Sequence, residues 1–530
     1  MSFFLVTFFC AFVALGSFLL GYDPGMVSSS IEQEAFLRQF ASPELVLSES
    51  AISGIVSSYI GGAIVGSVLA PYIADYHGRR MVLFVGGLLA TLGAALQGGA
   101  INMAMLIAGR CIAGLAVGQM SSTIPVYCSE VAPAQIRGML ASMQNWMIGL
   151  GVLVAQWVGY GSSLRDGPFS WRFPLSFQVV PAIILTIGIW FLPESPRYLT
   201  ERGKTLKARS VLARLNKTAN LTDLDYELSQ IHPLQKQPPT PTPTPSYRTL
   251  VSTRWRRRLL LSCILQLLTQ TTGAALIQTY IPTLTKTLPQ GQTLTPQTTL
   301  LIIGLWTALS QLWNTLFMPL IDKINRRTLL IPSLFATGAT ICIGATLLRS
   351  RTQDLTNAKN THSFHAAVAM LFLFSLFSTP LNMIAWIYQC ELFPTPLRAR
   401  GSALATATNW IIRLVLAECS PIAFARIGYS YLYCFAGITW VGVIVVWLFY
   451  PETAGRSLEE VQGVFEEVEE VEVRGVRALE DDVFQGVDAD VVRRSQIRAR
   501  GLHPLSMHPT TGSFGSDKGS GDGLVVGKEI

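Results

Sequence analysis

Charge is scarce in this chain. Asp, Glu, Lys and Arg make up 14% of its 530 residues and half of the residues are hydrophobic, whereas soluble domains carry about 25% charge. Much of its surface must therefore face something other than water. Cysteine offers no framework either. Cys10, Cys111, Cys128, Cys263, Cys342, Cys390, Cys419 and Cys434 lie in or beside apolar runs without paired spacing, which excludes a disulfide scaffold and a metal knuckle. P-loop, HExxH and GxSxG stretches are absent, so an ATP-driven pump or a membrane hydrolase lacks its parts. No enzyme activity, cofactor or metal is expected. The opening MSFFLVTFFCAFVALGSFLLGYD has no basic leader and no A-x-A site, so it reads as a spanning helix and not as a cleaved signal. A net charge of +7 invites a nucleic-acid partner, but the basic residues sit between apolar runs, where topology explains them.

What is present is a series of apolar runs near 3–28, 51–72, 81–100, 102–125, 139–161 and 174–193. They resume near 259–281, 299–320, 329–349, 366–389, 401–423 and 430–450. Each is close to the ~20 residues that a spanning helix needs. The expected fold is all-α, with twelve transmembrane helices in two six-helix bundles. Lys and Arg collect in alternate connections, at 77–80, 197–258, 323–327 and 398–400, which places those connections and both termini in the cytoplasm. The expected division is a first bundle at 1–198, a cytoplasmic linker at 199–258, a second bundle at 259–450 and a tail at 451–530. PPTPTPTP at 238–245 reads as an extended spacer, and the acidic, then Gly/Ser-rich tail reads as disordered.

The halves repeat each other. D-Y-H-G-R-R at 75–80 returns as D-K-I-N-R-R at 322–327. Tyr127, Glu130, Pro133 and Arg137 return with identical spacing as Tyr388, Glu391, Pro394 and Arg398. PESPR at 193–197 returns as PETAGR at 451–456. A parallel repeat of this kind places a ligand site near the bilayer midplane, between the halves. It also supplies acids and bases at the cytoplasmic helix ends: Asp75, Arg79, Arg80, Glu130, Arg137, Glu194 and Arg197, then Asp322, Arg326, Arg327, Glu391, Arg398, Glu452 and Arg456. Such a network can pair across the mouths of the two bundles and separate on opening. Positive-inside anchoring also accounts for Arg79, Arg80, Arg326 and Arg327, but anchoring requires no acid.

Together with GYDPG at 21–25, GRCIAGLAVG at 109–118, PVYCSEVAPAQIRG at 125–138 and PETAGRSLEE at 451–460, these phrases resemble the sugar porter family of the major facilitator superfamily. WRFPLSFQVVPAIILTIGIWFLPESPRYL at 171–199 is most similar to fungal monosaccharide and polyol porters. The resemblance implies a plasma-membrane secondary transporter that moves a sugar or polyol by alternating access with protons. Its partners are the substrate, protons and the lipid bilayer. Two other readings stay open: a carrier of an acidic polyol such as quinate, and a sugar sensor that transports nothing.

Asp23 and Arg110 fall at matching depths on the first and fourth helices, and intramembrane charges are functional by default. The family implies proton coupling for this pair; a permanent structural salt bridge is the alternative. Thr406, Asn409 and Arg413 share a face of the eleventh helix. Asn409-Trp410 match the family's Asn-Trp pair, but Arg413 stands where Asn is common and suits a carboxylate as well as it suits structural pairing. On the seventh helix Gln266, Gln270 and Gly273 share a face. Against the family's Gln-Gln-x-x-Gly-x-Asn pattern, Gln270 is kept, Thr269 replaces the first Gln and Ala275 the Asn; of the following tyrosine pair, Thr279 replaces the first and Tyr280 keeps the second. Gln144 and Asn145 on the fifth helix and Trp386 on the tenth complete the expected substrate set, with Asn382-Met383 where Gly-Pro is common.

Overall fold

Twelve helical spans arise from the apolar runs. A computed structural model describes residues 2–31, 33–41, 47–215, 246–274, 296–353 and 359–454, with a few isolated positions up to 465. The first six spans are Ser2–Val13 with Leu15–Ile31, Glu49–His77, Arg79–Gly98, Met103–Val131, Arg137–Ser163, and Phe169–Phe177 with Val179–Gly188. The second six are Thr253–Thr271, Pro296–Phe317, Arg326–Gln353, Lys359–Glu391, Thr395–Ile427 and Tyr431–Phe449. Among the described residues nine stretches are apolar and long enough to cross a bilayer, and the last, Thr395–Phe449, folds as two spans that meet at Gly428. Thr253–Thr271, with its Arg-rich start, and Pro296–Phe317 bring the count to twelve. Contacts divide the chain into Met1–Gln462, which holds both bundles, and Gly463–Ile530.

The burial pattern is that of a protein dissolved in lipid. Ile187 and Val441, on the sixth and twelfth spans, are 60% and 59% exposed, whereas Arg79 and Arg110 are each 2% exposed. Polar groups face inward because hydrocarbon cannot hydrogen-bond them. The bundles meet where the second span packs on the eleventh and the fifth on the eighth.

Two expectations change. The run at 259–281 is not one continuous helix: it stops at Thr271, and Gly273 turns the chain with a φ of 76°, a region open to glycine and costly for other residues. Residues 275–281, including Ala275, Thr279 and Tyr280, lie outside the described set. The tenth and eleventh helices extend several residues past the expected 366–389 and 401–423, because helical hydrogen bonding continues through headgroup depth after the apolar text ends. The third and fourth helices are separated at 99–102, and the Asn102 side chain accepts the Met105 N–H at 2.8 Å to start the fourth.

The second and fourth helices touch backbone to backbone. A Cβ at Gly114 would lie 2.0 Å from the Tyr59 carbonyl, and one at Gly118 would lie 2.1 Å from that of Ala63. Small residues permit this approach between membrane helices. Gly114→Ala is expected to destabilise the protein by about 1–3 kcal/mol through overpacking, read as a lowered melting temperature in detergent. Gly61→Ala, with nothing within 4 Å, should leave the melting temperature unchanged.

Candidate functional site

The central charges meet. The Arg110 guanidinium on the fourth span contacts the Asp23 carboxylate on the first, and both are almost fully buried. Arg110 also donates through Nε to the Ile55 carbonyl at 3.1 Å and lies 4.4 Å over the Tyr59 ring. From Tyr59 the chain of contacts crosses between the bundles. Its ring sets an edge against Trp410 of the eleventh span at 5.9 Å, and the Arg413 guanidinium lies 5.4 Å over Trp410. Two guanidiniums thus enclose two aromatics packed edge to face, one from each bundle. Tyr59 was absent from the expected site; a tyrosine in an apolar run gives no sign of facing inward until the neighbouring glycines set the rotation of its helix.

Amides line the second bundle's inner face. Gln266 donates to Gln389 at 2.9 Å and to the Ala385 carbonyl at 3.3 Å, and it accepts from Asn409 at 2.8 Å. Asn409 also donates to Thr269 Oγ1 at 3.1 Å and accepts from Gln270 at 3.1 Å. Thr406 reaches Gln389 at 3.5 Å. Gln266, Thr269, Gln270, Thr406 and Asn409 therefore form one network, completed by Gln389, while Trp410 and Arg413 stand outside it. On the fifth helix Gln144 donates to the Ser121 carbonyl at 3.2 Å. Asn145 turns to the eighth helix and donates to Asn314 at 3.0 Å, and Gln311 donates to the Trp146 carbonyl at 3.1 Å. Gln311 and Asn314, three residues apart on one face, were legible as a polar pair in an apolar run and were passed over. Trp386 is buried, and Asn382 donates to the Ser378 carbonyl at 3.1 Å.

At the cytoplasmic ends the repeat becomes geometry. Arg79 meets Glu130 at 3.1 Å, and Arg326 meets Glu391 at 3.2 Å. Glu194 accepts the Arg79 and Arg80 backbone N–H groups at 3.1 and 3.3 Å; Glu452 accepts those of Arg326 and Arg327 at 2.9 and 3.0 Å. Each carboxylate caps the N-terminus of a helix whose first donors would otherwise be unpaired. Burial pushes the Glu194 carboxyl above the usual range, against the pull of the Ser195 N–H and Arg79. Arg80 and Arg327 reach the Trp190 and Trp447 carbonyls.

Other contacts tie the bundles together. Arg398 lies 3.7 Å from Glu130, Arg400 lies 3.0 Å from Asp75, and the Met139 N–H donates to Asp322 at 2.7 Å. Arg197 reaches Thr395 at 3.5 Å. Arg398 turns to Glu130 on the other bundle, not to Glu391 on its own, and gives its remaining donors to the Cys390 and Phe393 carbonyls. Arg400 is an addition to the expected set. Arg137 is buried at the start of the fifth helix, and Arg456 lies outside the described residues. Near the outer ends Ser53 and Ser57 of the second helix donate to Glu418 of the eleventh.

The family model "Sugar (and other) transporter" matches residues 9–465. The chain belongs to that family. The transporter is 30% identical over 462 residues to an MFS-type transporter, criB, of Aspergillus cristatus, covering 86% of this chain and 93% of the relative. It is 29% identical over 463 residues to a high-affinity glucose transporter of Kluyveromyces lactis, at 84% and 82% coverage. Among solved structures it is similar to the proton:xylose symporter XylE bound to 6-bromo-6-deoxy-D-glucose, with a TM-score of 0.73 and 22% identity over 87% of this chain and 99% of that one. This transporter's fold is thus the twelve-helix major facilitator fold in a multi-pass membrane protein.

Glu130 is the acid on which two guanidiniums of this transporter converge. Glu130→Gln is expected to cost about 3–5 kcal/mol by stranding Arg79 and Arg398 in a buried site. Glu34→Gln, which breaks an exposed pair with Arg38, should change stability by well under 1 kcal/mol. Thermal unfolding of the two purified variants side by side checks both.

Proposed function

We propose that this transporter moves a sugar or polyol together with a proton by alternating access, with Asp23 and Arg110 as the coupling pair. The observation that carries the reading is the contact chain Asp23–Arg110–Tyr59–Trp410, which joins a buried ion pair of one bundle to the amide-lined helix of the other. Protonation of Asp23 removes the counter-charge of Arg110. The guanidinium is then held only by the Ile55 carbonyl and the Tyr59 ring, and a shift of either is felt at Trp410. The amides of Gln266, Gln270 and Asn409, with Gln144 and Asn145 opposite, are the donors and acceptors that a polyhydroxylated substrate engages.

The printed functions of the relatives support this class: glucose for the Kluyveromyces lactis protein and proton with xylose for the structural neighbour. A sensor that transports nothing has no need of ion pairs that cross the cytoplasmic mouth, so Glu130–Arg398 and Asp75–Arg400 favour a carrier. In this reading the paired cytoplasmic residues, with Arg137 and Arg456, form the inner gate. The chain divides into bundles at 1–198 and 259–450 with a cytoplasmic linker and tail, both termini are cytoplasmic, and the plasma membrane is the host.

The test is uptake of labelled hexoses, pentoses and polyols by cells lacking their own carriers. Accumulation is expected to be greater at pH 5 than at pH 7.5 and to collapse with an uncoupler. Asp23→Asn should abolish accumulation while retaining exchange of substrate down its gradient. Accumulation that survives both the uncoupler and Asp23→Asn would contradict the coupling role.

A further inference from the structure

Arg413 is a cation without an acid of its own. Among the described residues it has neither a hydrogen bond nor an ion pair: its guanidinium rests on the Trp410 ring and lies within electrostatic reach of Asp23, Tyr59 and Arg110. The carboxylate in that neighbourhood is already engaged by Arg110. Glu418, the next acid on the same helix, is turned away and accepts from Ser53 at 2.8 and 2.9 Å. Two guanidiniums thus share one carboxylate, with tyrosines that are neutral at physiological pH. One positive charge is left over between the bundles, on a half-buried side chain that a ligand can reach. Arginine cannot shed it by losing its proton.

Arg413 lies one helical turn beyond Asn409, on the face that carries the amide network. A fork of N–H donors beside hydroxyl-binding amides matches a molecule that carries a carboxylate and several hydroxyls. We propose that Arg413 is a carboxylate subsite of this transporter, so that among polyhydroxylated substrates it prefers a monocarboxylate to the neutral counterpart. This rests on the carrier reading above and narrows its substrate class. The bound anion cancels the excess charge between the bundles. Carried with one proton, it crosses without net charge, whereas a neutral sugar with one proton moves one positive charge inward.

The full-length protein, purified and reconstituted in liposomes, tests this with two matched pairs of probes: glucuronate against glucuronamide, and gluconate against sorbitol. In the wild-type protein at least one acid should bind about tenfold or more tightly than its neutral partner, the difference expected from a charged hydrogen bond. Arg413→Asn should remove that preference and keep the binding of the neutral partner, and Arg413→Lys should retain part of it. Equal binding within both pairs by the wild-type protein overturns the proposal without recourse to any variant. So does an acid preference that survives Arg413→Asn. Flux separates the two levels. Binding of the acid with no transport leaves the subsite standing and removes the carrier reading; transport of sorbitol with no preference for either acid does the reverse.

Discussion

A guanidinium buried away from water must be answered by a carboxylate, and this requirement organises the molecule from its cytoplasmic mouth to its centre. Arg79 and Arg326 each enter a low-dielectric interior and each finds a glutamate on the neighbouring helix, Glu130 and Glu391. Glu194 and Glu452 then arrive from the ends of the sixth and twelfth helices to cap the same segments. Each bundle is thereby fixed at its cytoplasmic end by one arginine and two acids, and its hydrophobic exterior is left to the lipid. The same rule at the centre pairs Arg110 with Asp23.

Fixing each bundle separately leaves the relation between them adjustable. The contacts across the mouth are separate from those inside each bundle: Arg398 stands 3.7 Å from Glu130, Arg400 lies 3.0 Å from Asp75, and the Met139 N–H donates to Asp322 at 2.7 Å. Losing them leaves Arg79–Glu130 and Arg326–Glu391 in place, each within its own bundle. This division of contacts is what rigid-body rocking of two repeats about a central site requires. The Tyr59–Trp410 contact lies where the two bundles meet, between the Asp23–Arg110 ion pair and the amide network.

The duplicated architecture was legible because its text is duplicated: Asp-x-x-x-Arg-Arg and Tyr-x-x-Glu recur with identical spacing, and a Pro-Glu followed by an Arg closes each half. Asp23 and Arg110 were legible as charges in apolar runs at equal depth. Pairing across bundles was harder to read. Sequence spacing places Arg398 beside Glu391, but side-chain direction at the start of the eleventh helix sends it to Glu130, which only the docking of two bundles can decide. The seventh helix was misjudged in length because composition stays apolar through Gly273, while the backbone turns there with a positive φ. Tyr59 and Gln389 were missed because a polar residue on a membrane helix acquires meaning from its partner on another helix.

The central claim is that the Glu130 cluster holds the cytoplasmic mouth closed. Spin labels at Tyr76→Cys and Lys323→Cys, one on each bundle, report the separation directly once the exposed Cys111, Cys419 and Cys434 are replaced by serine. The wild-type background is expected to show a dominant short distance, and Glu130→Gln should shift the population to a longer one. An unchanged distance distribution in Glu130→Gln, in protein that remains folded, would contradict the account and reduce these ion pairs to anchors of the individual bundles.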